Sequence, residues 1–359
     1  QLLYAMSVLS VSLMAIALIF RQHILSIIFG QVEPDVMSSA LVYFLLTAAA
    51  YPFMGIYSAG AALLRAMGNS KASMYCTLVV NIVNISVNGV LIFGFHMGAA
   101  GAGVGTLVSR IVAAIIIMNM LKQEENEIQL DGLLQIHLHW DMIKSILFIG
   151  IPNGMENGMF QTGKLLVLNL ITTFGTSAVA ANAIANSVAG VVNVPGMALG
   201  LAIITVIGRC IGAGDNEQAV YYTKRLLATS YLCMIIMSAG MFFGAEWLVS
   251  LFQLSPEATV MASQVLKVCA VGNVIFCPLS FTLPNSLRAA GDAIFTMAVS
   301  LCSMFICRVA LSYVLACDWG LNMGLLGVWL AMIADWVVRA IVFTIRYKQG
   351  KWKKIKVIA

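Results

Sequence analysis

The sequence predicts an all-α fold, a bundle of membrane-spanning helices arranged as two pseudo-symmetric lobes. Three observations carry this. Charge is sparse: 10% of the 359 residues are Asp, Glu, Lys or Arg and 61% are hydrophobic, where a soluble domain carries about 25% charged residues. The apolar runs are long, as at 74–95 and 222–243, and about 20 residues suffice to cross a bilayer as a helix. Two short motifs also recur in the same order relative to the spans. Strands of a β-barrel would instead alternate with period two over about 10 residues. With no water in the hydrocarbon core, helices satisfy their own backbone groups.

The pattern predicts ten spans. The first covers 1–20 and opens at Gln1 within an ongoing helical pattern, without an initiator Met or a basic flank. A front-truncated chain is the expectation. The next three cover 36–63, 72–95 and 101–122, and complete an N-terminal lobe, 1–122. A polar stretch, 123–142, reads as a cytoplasmic linker. Six further spans cover 143–172, 178–210, 222–244, 258–284, 293–317 and 323–346, and form a C-terminal lobe, 143–346. The span at 178–210 is too long for a simple crossing, so either Pro195 kinks it or one end emerges into water. Residues 347–359 read as a basic cytoplasmic tail.

Lys and Arg gather on alternate connections. Arg65 and Lys71, Lys122 and Lys144, Arg209 and Lys224, Arg288 and the tail lie on one side. Of the connections on the other side, the first carries only Arg21 and the others carry none. The positive-inside rule then places both ends of this chain in the cytoplasm.

The linker holds His137 and His139 beside Asp141. An i, i+2 spacing does not share a helix face, so a solvated segment is expected rather than a metal site. The eight cysteines show no CxxC or Cys/His ligand spacing and read as small apolar packing residues. No G-x-S-x-G, H-E-x-x-H or P-loop motif occurs, so no enzyme chemistry is expected.

The recurring motifs are Leu64-Arg65-Ala66-Met67-Gly68-Asn69 and Leu287-Arg288-Ala289-Ala290-Gly291-Asp292. Each ends one span. One span further on stand Met97-Gly98-Ala99-Ala100-Gly101 and Met323-Gly324-Leu325-Leu326-Gly327. Spans one to four therefore repeat as spans seven to ten, and spans five and six lack counterparts in the first lobe. Two helices before residue 1 would complete the first lobe, so ten spans are expected of twelve. Both arginine motifs fall on one side of the membrane, as in parallel repeats of transporters with a midplane site.

These residues resemble the multidrug and toxic compound extrusion (MATE) family. The resemblance rests on the Arg65 and Arg288 motifs, Asn81, Asn84 and Asn88, Gly98 through Gly103 and Ser109-Arg110. It continues through Ile151-Pro152, Pro195, Gly200 and Gly212-Ala213-Gly214-Asp215. It covers essentially the whole chain. It implies two six-helix lobes, a central cavity, and export of organic cations or drugs in exchange for H⁺ or Na⁺. The chain departs from the family pattern at Phe160 and Cys277, where many members carry acids.

The fifth span carries Asn153, Glu156, Asn157, Gln161 and Lys164 on one helical face. A carboxylate in mid-bilayer costs about 2.5–3.5 kcal/mol on insertion scales. Glu156 is therefore the candidate cation-coupling residue, set against a purely structural ion pair with some other base. Asn81, Asn84 and Asn88, with Asn182 and Asn186, define further polar faces. They read either as substrate-cavity wall or as interhelical hydrogen bonds worth about 0.6 kcal/mol each. Asp335 and Arg339 stand i, i+4 and read as a structural ion pair, with Arg308 a third partner. Arg65 and Arg288 read as helix-end caps facing lipid phosphates.

The expected function is a secondary active multidrug antiporter working by alternating access of two lobes. A lipid-linked saccharide flippase and a non-transporting scaffold are the alternatives. No cofactor beyond the coupling ion, no metal and no nucleic-acid partner are expected. The expected partners are the bilayer and small organic molecules, with the chain acting as a monomer in the cell membrane.

Overall fold

A computed structural model describes residues 1–29, 33–123, 139–317 and 320–355. All regular structure among them is helical. The chain divides into two compact units, Gln1–Ile146 and Leu147–Ala359. Most of the predicted linker, including His137, and the last four residues lie outside the described residues.

Unit 1 holds α1 (Leu2–Ile19), α2 (Arg21–Phe29), α3 (Pro34–Ala49), α4 (Tyr51–Ala66), α5 (Ser70–Gly94) and α6 (Gly98–Leu121). Here the structure corrects the predicted span 36–63. It is two helices, α3 and α4, bent by 40° at Ala50. Pro52 sits in the first turn of α4 and offers no N–H to continue the ladder. The short α2 is also additional to the predicted spans. Leu64, Cys76, Ala113 and Ile117 form the buried core between α4, α5 and α6. At Gly60 an added Cβ would stand 2.7 Å from Ile117 Cγ1, so glycine there sets how closely α4 and α6 approach.

Helix α7 (Trp140–Thr172) leads into unit 2, which continues with α8 (Thr176–Gly212), α9 (Asn216–Ser250), α10 (Pro256–Ala289), α11 (Ala293–Ala316) and α12 (Gly324–Lys348). Helix α8 runs 37 residues and continues helical past Pro195. At 1.5 Å per residue that is about 55 Å, well beyond a hydrocarbon core of about 30 Å. A core of small and branched side chains, among them Ala181, Ala185, Val265, Leu266 and Trp329, joins α8, α10 and α12. The described part of the predicted basic tail, 347–355, is ordered against unit 2. It turns into a short 3₁₀ helix, Lys351–Lys354, and Trp352 is buried, stacked on Tyr347 with ring centroids 5.3 Å apart.

Lipid is the surrounding solvent. Phe93 is 80% exposed and Phe243 86%, on helices that water would not tolerate so decorated. Among the described residues eight helices are long and apolar enough to cross a membrane, and the bent α3–α4 pair makes a ninth. The remaining long helix, α7, spans 33 residues but carries Asp141, Lys144, Glu156 and Lys164. It is the predicted fifth span, and its polarity sets it apart.

The sequence repeat is a repeat of backbone conformation. Gly68 and Gly291 both adopt left-handed φ, +83° and +88°, a conformation glycine reaches at little cost. The Asn69 amide returns to Leu64 O at 2.8 Å and the Asp292 amide to Leu287 O at 2.9 Å, the same six-to-one helix ending. At the second anchor, His96 and Asn322 take φ of 54° and 51°, and Gly98 and Gly324 take 52° and 53°.

Candidate functional site: a charged cavity in unit 2

Within unit 2, α7, α8, α10, α11 and α12 enclose a cavity of about 550 Å³. A smaller space of about 280 Å³ shares Lys164, Asn186, Arg308 and Trp329 with it. The α7 face supplies Asn153, Glu156, Asn157, Phe160 and Lys164. Helical periodicity explains this: positions 153, 156, 157, 160 and 164 fall within an arc of about 100°. Gln161, predicted to join them, falls about 40° outside that arc, is exposed, and does not line the cavity.

Glu156 is held by an ion pair. Arg288 Nη2 donates to Glu156 Oε1 at 2.5 Å, with side-chain exposures of 17% and 12%. Arg288 also donates to Asn285 Oδ1 at 2.7 Å. The expectation that Arg288 faces lipid phosphates is corrected: it points into unit 2, because an acid on α7 stands opposite it. Glu156 Oε2 is buried without a hydrogen-bond partner.

At the cavity wall, where Arg339 is a lining residue, Asp335 and Arg339 are paired at 2.8 Å and almost wholly buried, at 0% and 3% exposure. Ser303 Oγ donates a short hydrogen bond to Asp335 Oδ1, and Arg339 Nη2 donates to Ser300 O at 3.1 Å. Arg308, read from the sequence as a third partner, does not join the pair. Its guanidinium carbon lies 5.3 Å from the centre of the Phe160 ring. Lys164 Nζ lies 5.0 Å from that centre and Arg339 Cζ 5.6 Å. Three cations thus surround one ring, a favourable arrangement for each of them with its π face.

On α8, Asn182 Oδ1 accepts from Trp329 Nε1 at 3.2 Å and from Asn186 Nδ2 at 3.0 Å. Asn182 and Asn186 reach the cavity region while also bonding each other. In unit 1, Asn84 Nδ2 donates to Ser109 Oγ at 3.3 Å and Asn88 Nδ2 to Asn84 Oδ1 at 3.1 Å. Asn84 thus ties α5 to α6, Asn88 braces Asn84 within α5, and Asn81 is exposed on α5.

Among the described residues, two of the three π-helical turns contribute to the cavity. Pro278–Thr282 in α10 presents Ser280 and Phe281, and Met304–Ala310 in α11 presents Arg308. A π turn carries one extra residue and recurs at functional sites. Sequence reading did not assign Phe160, Arg288, Arg308 or Arg339 to the cavity wall. The signal available was that unit 2 places three arginines inside or at the end of apolar spans, a costly placement that asks for a reason.

This is a polytopic helical membrane protein with a polar, charged cavity inside one lobe, a design suited to moving solutes. The MatE family model matches residues 1–90 and 152–314, and the chain belongs to that family, whose members are transporters rather than enzymes. It is 28% identical over 336 residues to the probable multidrug resistance protein NorM of Thermotoga maritima, covering 92% of this chain and 71% of that one. It is also 28% identical over 301 residues to the uncharacterized transporter YisQ of Bacillus subtilis, covering 81% of this chain and 64% of that one. The chain thus spans about two thirds of the length of such relatives. Among solved structures, it superposes on a MATE transporter in the straight conformation with a TM-score of 0.89 at 18% identity, covering 98% of this chain and 78% of that one. A superfamily transporter from Pyrococcus furiosus gives a TM-score of 0.90 at 19% identity, with the same coverages, 98% and 78%. For that protein, reverse polarity of the binding pocket is described as suggesting a different function. Both likenesses establish the fold.

Proposed function

We propose that this chain is part of a secondary active multidrug efflux antiporter that exports drug-sized molecules in exchange for H⁺ or Na⁺. The observation that carries this reading is Glu156: a carboxylate inside an apolar lobe, lining a cavity of about 550 Å³, with one oxygen paired and the other buried and open. A proton or Na⁺ arriving at Oε2 weakens the hold of Glu156 on Arg288 and loosens α7 from α10. Coupling requires that the ion favour one conformation over another; affinity without that preference moves nothing. Export then follows by alternating access of the two lobes, with both ends of the chain in the cytoplasm and a single copy sufficing. Asn153, Asn157, Lys164, Asn182 and Asn186 serve as the substrate wall.

The test is efflux by the full-length protein in proteoliposomes, with Na⁺ and pH gradients imposed separately and fluorescent probes of both charges inside. One gradient is expected to drive export. Glu156→Gln is expected to abolish the driven component while leaving the protein folded in the membrane. Wild-type efflux by that variant would remove Glu156 from the coupling step.

A second reading, a lipid-linked saccharide flippase, is favoured by one observation. Such a substrate needs a cationic pocket for its pyrophosphate, and Lys164, Arg288, Arg308 and Arg339 all line this cavity.

A further inference from the structure

The charges of the unit 2 cavity do not balance. Four bases line it: Lys164, Arg288, Arg308 and Arg339. Two carboxylates answer them. Glu156 is committed to Arg288 and Asp335 to Arg339. Among the described residues no carboxylate lies within 4.0 Å of Lys164 or Arg308. Two positive charges are left over.

Their placement differs and both placements matter. Arg308 is 8% exposed, on the π turn of α11, and lines the cavity. An unpaired buried guanidinium is costly inside an apolar lobe. Lys164 is exposed and faces the same space from α7. Both lie against the Phe160 ring, at 5.0 and 5.3 Å. The ring spreads the cations around its face but cannot neutralise them. Amides, not acids, make up the other polar walls: Asn182 and Asn186 on α8. Beside these lie apolar surfaces of Trp329 and Met332.

We propose that this cavity takes an organic anion: an amphipathic carboxylate, sulfonate or phosphate whose head seats between Lys164 and Arg308 and whose apolar body lies on Trp329 and Met332. A guanidinium presents paired N–H groups that match two oxygens of such a head, and the ammonium of Lys164 supplies a second charge. An organic cation entering the same space meets like charge, and among the described residues the one carboxylate lining it, Glu156, is already held by Arg288. The volume suits a molecule of drug size. The transport arm of the test rests on the antiporter reading above; the binding arm does not.

The test uses two probes with one apolar body and opposite charge, pyrenesulfonate and pyrenemethylammonium, and the full-length protein in detergent. Equilibrium dialysis is expected to show saturable binding of the sulfonate, with the ammonium at least about tenfold weaker. Loss of one charge-assisted bond in Arg308→Met or Lys164→Gln is expected to weaken sulfonate binding about tenfold or more. Lys164→Gln is an exposed substitution and carries the test should Arg308→Met fail to yield monodisperse protein. Equal affinity for both probes, or sulfonate binding unchanged in Lys164→Gln, overturns the proposal. Displacement of the sulfonate by dihexanoyl phosphatidic acid, sensitive to the same substitutions, assigns a lipid phosphate head to the site; no displacement assigns it to free organic anions, and either upholds an anion site. In proteoliposomes, driven export of the ammonium with no sulfonate bound overturns the anion assignment and leaves the antiporter reading standing. Sulfonate bound with neither probe exported does the reverse.

Discussion

In unit 1 the turn after Arg65 ends on Asn69, whose side chain caps α5 by accepting from the Ala72 amide at 3.1 Å. In unit 2 the matching turn after Arg288 ends on Asp292. Its carboxylate makes no such cap and instead accepts from Arg346 Nε at 2.7 Å and Nη2 at 3.1 Å. The two arginines diverge in the same way. Arg65 donates to the neutral Ser73 at 3.2 Å, while Arg288 holds Glu156. Eight residues beyond Gly101 stands Ser109, and eight beyond Gly327 stands Asp335. Both are buried, and each accepts a hydrogen bond from the preceding long helix of its unit. One backbone plan thus carries neutral polar contacts in unit 1 and ion pairs in unit 2. Main-chain geometry was held while charge was placed on one side only, where the cavity lies.

Substitutions at matched positions break or sharpen that comparison. The largest effect is expected from Arg339→Met, which strands the buried Asp335 carboxylate and should cost about 3–5 kcal/mol. Ser109→Ala, at the neutral position that matches Asp335, should cost only about 1 kcal/mol; thermal unfolding in detergent compares the two. Next comes Arg288→Gln, which leaves Glu156 without its partner and should cost about 1–3 kcal/mol, against less than about 1 kcal/mol for Arg65→Gln. The same unfolding series reads both, and equal costs would contradict the asymmetry. Gly68→Ala and Gly291→Ala force a Cβ into left-handed backbone and should each cost about 1–2 kcal/mol. Here the units should agree, since the main chain is what they share. The smallest effect is expected from Asn69→Ala, loss of a cap worth about 1 kcal/mol or less, with local fraying at the start of α5 read by hydrogen exchange.

The all-α membrane class was legible in the sequence because it depends on composition and run length, and the two repeat anchors because they are written in contiguous residues. Leu-Arg-Ala-X-Gly encodes a helix end locally, and Met-Gly-X-X-Gly a helix start. The bend at Ala50 was less visible, since Pro52 is also an ordinary residue for a first helical turn. The polar face of α7 could be read from its periodicity, and Glu156 with it. The cavity could not. Glu156 and Arg288 lie 132 positions apart, and nothing along the chain announces that they meet. Arg308 was the least legible, because the π turn around it breaks the 3.6-residue rhythm by which its direction would be judged.

That π turn has a consequence for descent as well as for shape. Met304–Ala310 accommodates one residue more than an α-helical turn. Deleting a single codon there would restore regular winding: the flanking segments, whose register the wide turn already preserves, would keep it, while residues within the turn, Arg308 among them, would shift around the axis by up to about 100°. An arginine aimed into the cavity would then face a neighbouring helix or lipid, with no amino acid replaced. Relatives that share every charged residue with this chain can therefore differ in the polarity of their pockets by one insertion or deletion, and alignments that score substitutions alone would pass over the difference.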